Sequence, residues 1–239
     1  MTVRFSGKLA LIAGGTGGLG RAVSLAFLEE GAKVVVTYRK QEELDALERE
    51  AGSKGSSIEG HRVDVTDEIA ARQLVDRVLA EHGRLDALVN TVGGYAGGVN
   101  LWELETKVFE QQLALNLRSG YALSRAAIPV MLKQKYGALV NVASKAALDH
   151  AAGAAAYAAS KAGALALMDS LAAEVKGTGV RVNSVLPSII DTEANRQAMP
   201  DADFSKWPKP QEIARVILFL CSDDARVIQG AAVPVYGDS

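Results

Sequence analysis

The sequence predicts an α/β protein built on one doubly wound parallel sheet with helices on both faces. Three observations carry this. Short β-branched runs alternate with longer segments of helical spacing along the whole chain. The strand runs, such as Val34-Val35-Val36 and Ala87-Leu88-Val89, lack the polar alternation of a half-exposed strand and suit a sheet buried on both sides. No low-complexity linker or fixed-period repeat divides the 239 residues, so a single domain spanning 1–239 is expected.

The elements follow in order. Residues 8–13 and 33–38 read as the first two strands. Between them a helix opens after Gly20, sets Val23, Ala26 and Phe27 on one stripe, and ends at Gly31. A charged helix at 41–51 precedes a strand at 57–63, and a helix at 67–82 precedes a strand at 86–90. One long helix is expected over 107–134, then a strand at 138–143. A helix at 153–176 leads to a strand at 180–186. The final pair is a helix at 211–221 and a strand at 232–236. Residues 188–210, polar and closing in Trp207-Pro208-Lys209-Pro210, read as an irregular segment and a candidate substrate lid.

Composition narrows the partners. A formal net charge of −2 argues against nucleic acid or an anionic membrane. No run of about 18 apolar residues is present to span a bilayer, and residues 1–8 lack the apolar core of a signal peptide. The one cysteine, Cys221, rules out an intrachain disulfide and fits a cytoplasmic protein.

The first turn reads Ala13-Gly14-Gly15-Thr16-Gly17-Gly18-Leu19-Gly20, between a strand and a helix. Glycines there allow a tight turn and let backbone N–H groups approach a pyrophosphate at the positive end of the helix. This is the context of a Rossmann-type dinucleotide site, with Gly14, Thr16, Gly18, Leu19 and Gly20 as candidate contacts. At the end of the second strand an acidic residue would bind a free ribose 2′-hydroxyl, whereas arginine would pair with a 2′-phosphate. The residues there are Tyr38, Arg39 and Lys40. No carboxylate follows that strand to repel a phosphate, so Arg39 favours NADP(H) over NAD(H).

Further along, Asn116 lies in Leu115-Asn116-Leu117, Ser144 in Asn141-Val142-Ala143-Ser144, and Tyr157 and Lys161 frame Tyr157-Ala158-Ala159-Ser160-Lys161. Together with Gly14, Gly18 and Gly20, these residues resemble the short-chain dehydrogenase/reductase family over essentially the whole chain. The resemblance implies Asn116, Ser144, Tyr157 and Lys161 as the catalytic set. It further implies that Tyr157 and Lys161 also face the cofactor, with Lys161 on the nicotinamide ribose and Asn116 supporting a water-linked relay. Asp64 and Val65 resemble the pair beside the adenine ring. Asn90 matches the first residue of the family's Asn-Asn-Ala-Gly, although the rest reads Thr91-Val92-Gly93. Pro187-Ser188-Ile189-Ile190-Asp191-Thr192 resembles Pro-Gly-x-Ile-x-Thr, which implies cofactor contacts by the Ile190 backbone and the Thr192 hydroxyl.

The chemistry stands beside the resemblance. Tyr157 and Lys161 are four apart on an expected helix and share a face. A phenol of pKa near 10 is a poor acid-base group at neutral pH, and a neighbouring ammonium favours the phenolate. The implied reaction is hydride transfer between NADP(H) and a carbonyl or alcohol, with Tyr157 as general acid/base.

Three segments should shape the substrate pocket: 93–99, 145–153 and the lid. Tyr95 either stacks on a flat substrate or packs under the lid. His150 reads as a surface-loop residue, and Phe204 and Trp207 either close the site or anchor the lid. Residues 93–98, 145–149 and 191–207 also resemble the dihydropteridine reductases, which implies a planar heterocycle as an alternative substrate. Arg39 and Ser144 depart from that group. A 3-oxoacyl thioester reductase is a third enzyme reading, with Arg118 and Arg125 as candidate carrier contacts. A non-catalytic dinucleotide sensor is the alternative of another class. A homo-oligomer, tetramer or dimer, is expected, with Ala155, Ala159, Ala162 and Ala166 allowing close helix approach or packing on their own sheet.

Overall fold

The computed structural model describes residues 4–238; positions 1–3 of the segment inspected for a signal peptide lie outside it. Seven parallel strands form one sheet: β1 (Leu9–Ala13), β2 (Lys33–Tyr38), β3 (Ile58–Arg62), β4 (Ala87–Asn90), β5 (Gly137–Val142), β6 (Val180–Pro187) and β7 (Ala232–Val235). Their order is β3-β2-β1-β4-β5-β6-β7. Leu9 sits opposite Lys33 on one side of β1, and Ala13 opposite Asn90 on the other. The order therefore reverses beside β1, and a crevice opens beyond the carboxyl ends of β1 and β4.

Alternate strand residues feed two cores. Ala10, Ile12, Val34, Val36, Val89 and Val140 point to the face covered by α1 (Gly18–Glu29), α2 (Gln41–Ala51) and α8 (Pro210–Cys221). Leu9, Leu11, Val35, Leu88, Leu139 and Val182 point to the face covered by α3 (Glu68–His82), α5 (Ser119–Gln134) and α6 (Ala155–Glu174). Val23 and Phe27 of the expected α1 stripe are fully buried, and Ala26 packs at the edge of the same core. After α1, Gly31 adopts φ +83°, while its N–H bonds the Leu28 carbonyl and that of Ala32 bonds the Phe27 carbonyl, which closes the helix end.

Three expectations change. The helix expected over 107–134 is two helices, α4 (Thr106–Leu113) and α5, joined by a π turn at Ala114–Arg118. The helix expected from 153 starts at Ala155, because Gly153 has φ +74° and cannot continue a right-handed helix. The segment 188–210 is not irregular throughout. Thr192 accepts a hydrogen bond from the Asn195 N–H and caps a short helix, α7 (Glu193–Ala198), and a 3₁₀ turn follows at Phe204–Lys206.

The amino ends of the strands are fastened by satisfied charges. Asp86, buried, accepts from the Leu9 N–H at 2.8 Å and from Arg84 Nε and Nη2, each at 2.6 Å. Lys8 Nζ donates to the Tyr136 hydroxyl at 2.6 Å and to Asp223 at 2.9 Å. Glu59 on β3 lies between His61 at 2.7 Å and His82 at 2.8 Å.

Candidate active site

The cleft at the sheet reversal is built on backbone. Gly14 adopts φ +74°, its N–H bonds the Thr37 hydroxyl at 2.8 Å, and its carbonyl accepts from the Gly17 N–H at 3.1 Å. A Cβ on Gly20 would enter the shell of the Gly14 carbonyl, and one on Gly18 would lie 2.9 Å from the Thr192 methyl. These two positions accept only glycine without rearrangement, and they set the first turn of α1 tight against β1. The space left is bounded by Gly14, Thr16, Arg39, Asp64 and Val65, all named from sequence. A glycine cradle at a helix N-terminus with a cation at its far end fits a nicotinamide dinucleotide.

Other named residues stand behind this cleft. Leu19 is buried in α1. Asn90 bonds the Val92 N–H through Oδ1 and donates to Asn141 at 2.9 Å, so it fixes the loop leaving β4. The Ile190 carbonyl accepts from Asn195 Nδ2 at 2.7 Å, and Thr192 closes over Gly18. A backbone hydrogen bond from Thr66 leads in holding the Asp64 carboxyl below its usual range, with the Arg39 charge contributing.

Thr37, Val63 and Glu43 of the cleft lining had no place in the sequence expectations for the site, whereas Tyr38, Thr91, Val92 and Gly93 entered them as neighbours of Arg39 and Asn90. Besides Asp64, the cleft carries a second carboxylate, Glu43, which the residues ending β2 do not reveal. It does not end β2 but sits in the first turn of α2, which returns towards the glycine turn and brings Glu43 Oε2 to 3.2 Å from the Thr16 hydroxyl.

At the nicotinamide side of the crevice, β5 delivers Ser144 and α6 delivers Tyr157 and Lys161. Ser144 is buried, and its Oγ accepts from the Ala146 N–H at 3.1 Å, which opens a 3₁₀ turn. Lys161 is buried, donates to the Val142 carbonyl at 3.0 Å, and lies 6.0 Å from the centre of the Tyr157 ring. Burial lowers its ammonium pKa to about 8. Tyr157 differs from expectation. Burial pushes its phenol above the ordinary value, a hydrogen bond with Ser144 pulls it back in part, and Tyr95 adds to the rise. The lysine is turned to the Val142 carbonyl, and desolvation is the leading influence on the phenol. Tyr157 therefore keeps its proton at neutral pH, as a donor must.

Asn116 lies in the π turn, fully buried. Its Nδ2 faces the Gly94 carbonyl, Gln112 and Ser160 at 3.0–3.1 Å, and its Oδ1 accepts from the Gly94 N–H at 3.0 Å. Asn116 and Lys161 make no direct bond but converge on one point: a Cβ on Gly93 would sit 2.9 Å from Asn116 Oδ1 and 3.1 Å from Lys161 Nζ. Tyr95 meets Tyr157 edge to face, ring centres 5.0 Å apart, and stays 68% exposed. It is not covered by segment 188–210. Trp207 is buried and packs against Phe204, and Arg196 pairs with Asp191 while lying over the Phe204 ring, so that segment is stitched from within. His150 is exposed, as expected.

This combination defines a dinucleotide-binding α/β protein in which a buried lysine and its neighbouring tyrosine lie behind Gly93 of the cleft wall. The family model for short chain dehydrogenase matches residues 8–203. The chain is 32% identical to a 3-oxoacyl-[acyl-carrier-protein] reductase of Thermotoga maritima, covering 98% of either chain. It is 35% identical to a D-threitol dehydrogenase of Mycolicibacterium smegmatis, covering 98% of this chain and 93% of the relative. The NADP-bound structure of ElxO superposes with a TM-score of 0.91 at 28% identity, over 96% of this chain and 97% of the other. The chain belongs to the short-chain dehydrogenase/reductase family, as the sequence motifs led one to expect. It is a hydride-transferring oxidoreductase that uses a nicotinamide dinucleotide, and the sensor alternative gives way to an enzyme. Among the described residues no helix is long and apolar enough to cross a membrane.

Proposed function

We propose that the protein reduces a carbonyl group with NADPH, and that Asn116, Ser144, Tyr157 and Lys161 are its catalytic set. The observation that carries this is the grouping of Tyr157, hydrogen-bonded to Ser144, with the buried Lys161 and Asn116 that meet at Gly93 on the cleft wall. When bound, the dinucleotide supplies the hydride. Ser144 orients and polarises the substrate oxygen, and the Tyr157 phenol donates its proton to that oxygen. Lys161, whose pKa near 8 lets it exchange protons close to neutral pH, returns a proton towards Tyr157, with Asn116 close by on the other side of Gly93. Arg39 at the adenosine end supports NADPH, since its guanidinium suits a 2′-phosphate.

A second reading, reduction of a planar heterocycle such as a quinonoid dihydropterin, is favoured by exposed Tyr95 standing against Tyr157. The thioester reading draws on the Thermotoga relative and on exposed Arg118; Arg125 is already engaged with Glu68 and Tyr121. We place segment 188–210 as the substrate lid and the protein in the cytoplasm as a homotetramer or dimer. Ala159 and Ala166 are exposed rather than packed on the sheet, and a groove beside them runs between α5 and α6 past Tyr121, Ile128 and Leu167.

The test is NADPH oxidation across ketones, aldehydes, quinones and quinonoid dihydropterin. Turnover with carbonyl compounds is expected; turnover with the pterin alone would replace the first reading by the second. Light scattering checks the assembly, and a monomer mass would overturn it.

A further inference from the structure

The adenosine end of the cleft sets one cation, Arg39, against two carboxylates, Glu43 and Asp64. Arg39, at the end of β2, and Glu43, in the first turn of α2, both line it, with Thr16 between the glycine turn and the helix. Glu43 is half-buried, Arg39 exposed, and among the described residues the two form no ion pair. The Arg39 charge acts instead on Asp64 across the cleft. Thr16, buried, gives its hydroxyl proton to Glu43 Oε2 at 3.2 Å. The carboxylate is thus oriented towards the cleft by the glycine turn, and Thr16 is committed to it.

From this juxtaposition we infer that Glu43 is a specificity-determining residue that works against Arg39 and holds down the preference for a 2′-phosphorylated dinucleotide. The inference rests on the dinucleotide reading of the cleft. A 2′-phosphate brings up to two negative charges, which Arg39 attracts and Glu43 repels. It also finds the Thr16 hydroxyl, the buried donor of the glycine turn, already given to Glu43. A free 2′-hydroxyl carries no charge, and a carboxylate can accept its proton. The chain should therefore bind both dinucleotides, with its selectivity set by the balance of two side chains four positions apart rather than by one residue ending β2.

Glu43→Gln tests this, because it removes the charge while keeping an oxygen for Thr16. Dissociation constants for NADPH and NADH are measured by titration on parent and variant, at low and high salt. The expected result is a gain of about tenfold in NADPH affinity, the scale of one partly screened charge, with NADH affinity changed far less. NADPH binding should also weaken more steeply with salt in the variant, since net attraction has grown. Equal changes for both dinucleotides, or none, would overturn the inference. Glu43→Ala is the second variant and should move the NADPH to NADH ratio in the same direction. A parent that binds neither dinucleotide would instead bring down the reading of the cleft on which the inference stands.

Discussion

The two ends of the sheet are built to different rules. At the amino ends, charges are paired: Arg84 forks onto buried Asp86, Lys8 joins Tyr136 and Asp223, and Glu59 holds two imidazoles. At the carboxyl ends, groups are held in costly states. Lys161 is a buried ammonium with a carbonyl for its partner, and Tyr157 a phenol raised by burial. The comparison teaches that the fold concentrates stability at one rim and reserves the other for chemistry.

The sharpest way to test that division is Tyr157→Phe. It removes the proton and little else, so carbonyl reduction should fall by about 10³-fold while NADPH affinity holds. Loss of cofactor binding in the same titration would mean that the tyrosine is structural. Next comes Lys161→Met, which should cost two or more orders of magnitude in turnover yet stabilise the fold at pH 7 by roughly 3–6 °C in Tm. The sign follows from linkage. The folded pKa of about 8 lies below the free value of 10.5, so the unfolded chain holds more protons across that window. The penalty of the buried ammonium is full below pH 8 and gone above 10.5. The Tm gain of the variant over the parent should therefore shrink between pH 7 and pH 10; a gain independent of pH would refute a charged Lys161.

At the opposite rim, Arg84→Ala should leave Asp86 with its single backbone donor and destabilise the protein by roughly 2 kcal/mol in urea unfolding, since half of the arginine is solvated. Its kcat should match the parent's. A fall in kcat would show that the two rims are coupled. The smallest effect is expected for Arg39→Ala: a loss of about tenfold in NADPH affinity, with NADH affinity nearly constant. Equal losses would remove Arg39 as phosphate reader.

Legibility in the sequence divides along the same line between local and distant causes. The strand at 33–38 and the helix at 41–51 fall where propensity and periodicity put them, with identical bounds. The glycine turn was readable because its constraint is local backbone geometry. Glu43 was not, because only packing of α2 against the glycine turn brings it to Thr16. The pKa direction at Tyr157 escaped for a similar reason: four-residue spacing shows that Lys161 shares a face, but not that its ammonium turns to Val142. Helix α7 is only six residues long, and its signal reduces to a threonine cap.

The π turn at Ala114–Arg118 has a consequence for how this chain tolerates change. Its extra residue offsets the helix by about 100°, so α4 and α5 keep separate angular phases. Gly120, Leu123, Ala127 and Met131 can stay locked into the core while Asn116 swings inward to grip Gly94. Deleting one residue within 114–118 would restore an ordinary helix and force the two phases into one. Either Asn116 would leave Gly94 or the buried face of α5 would leave its sheet. Point substitutions upstream and downstream are uncoupled by the same turn, so the helix behaves as two separately adjustable parts on a single shaft.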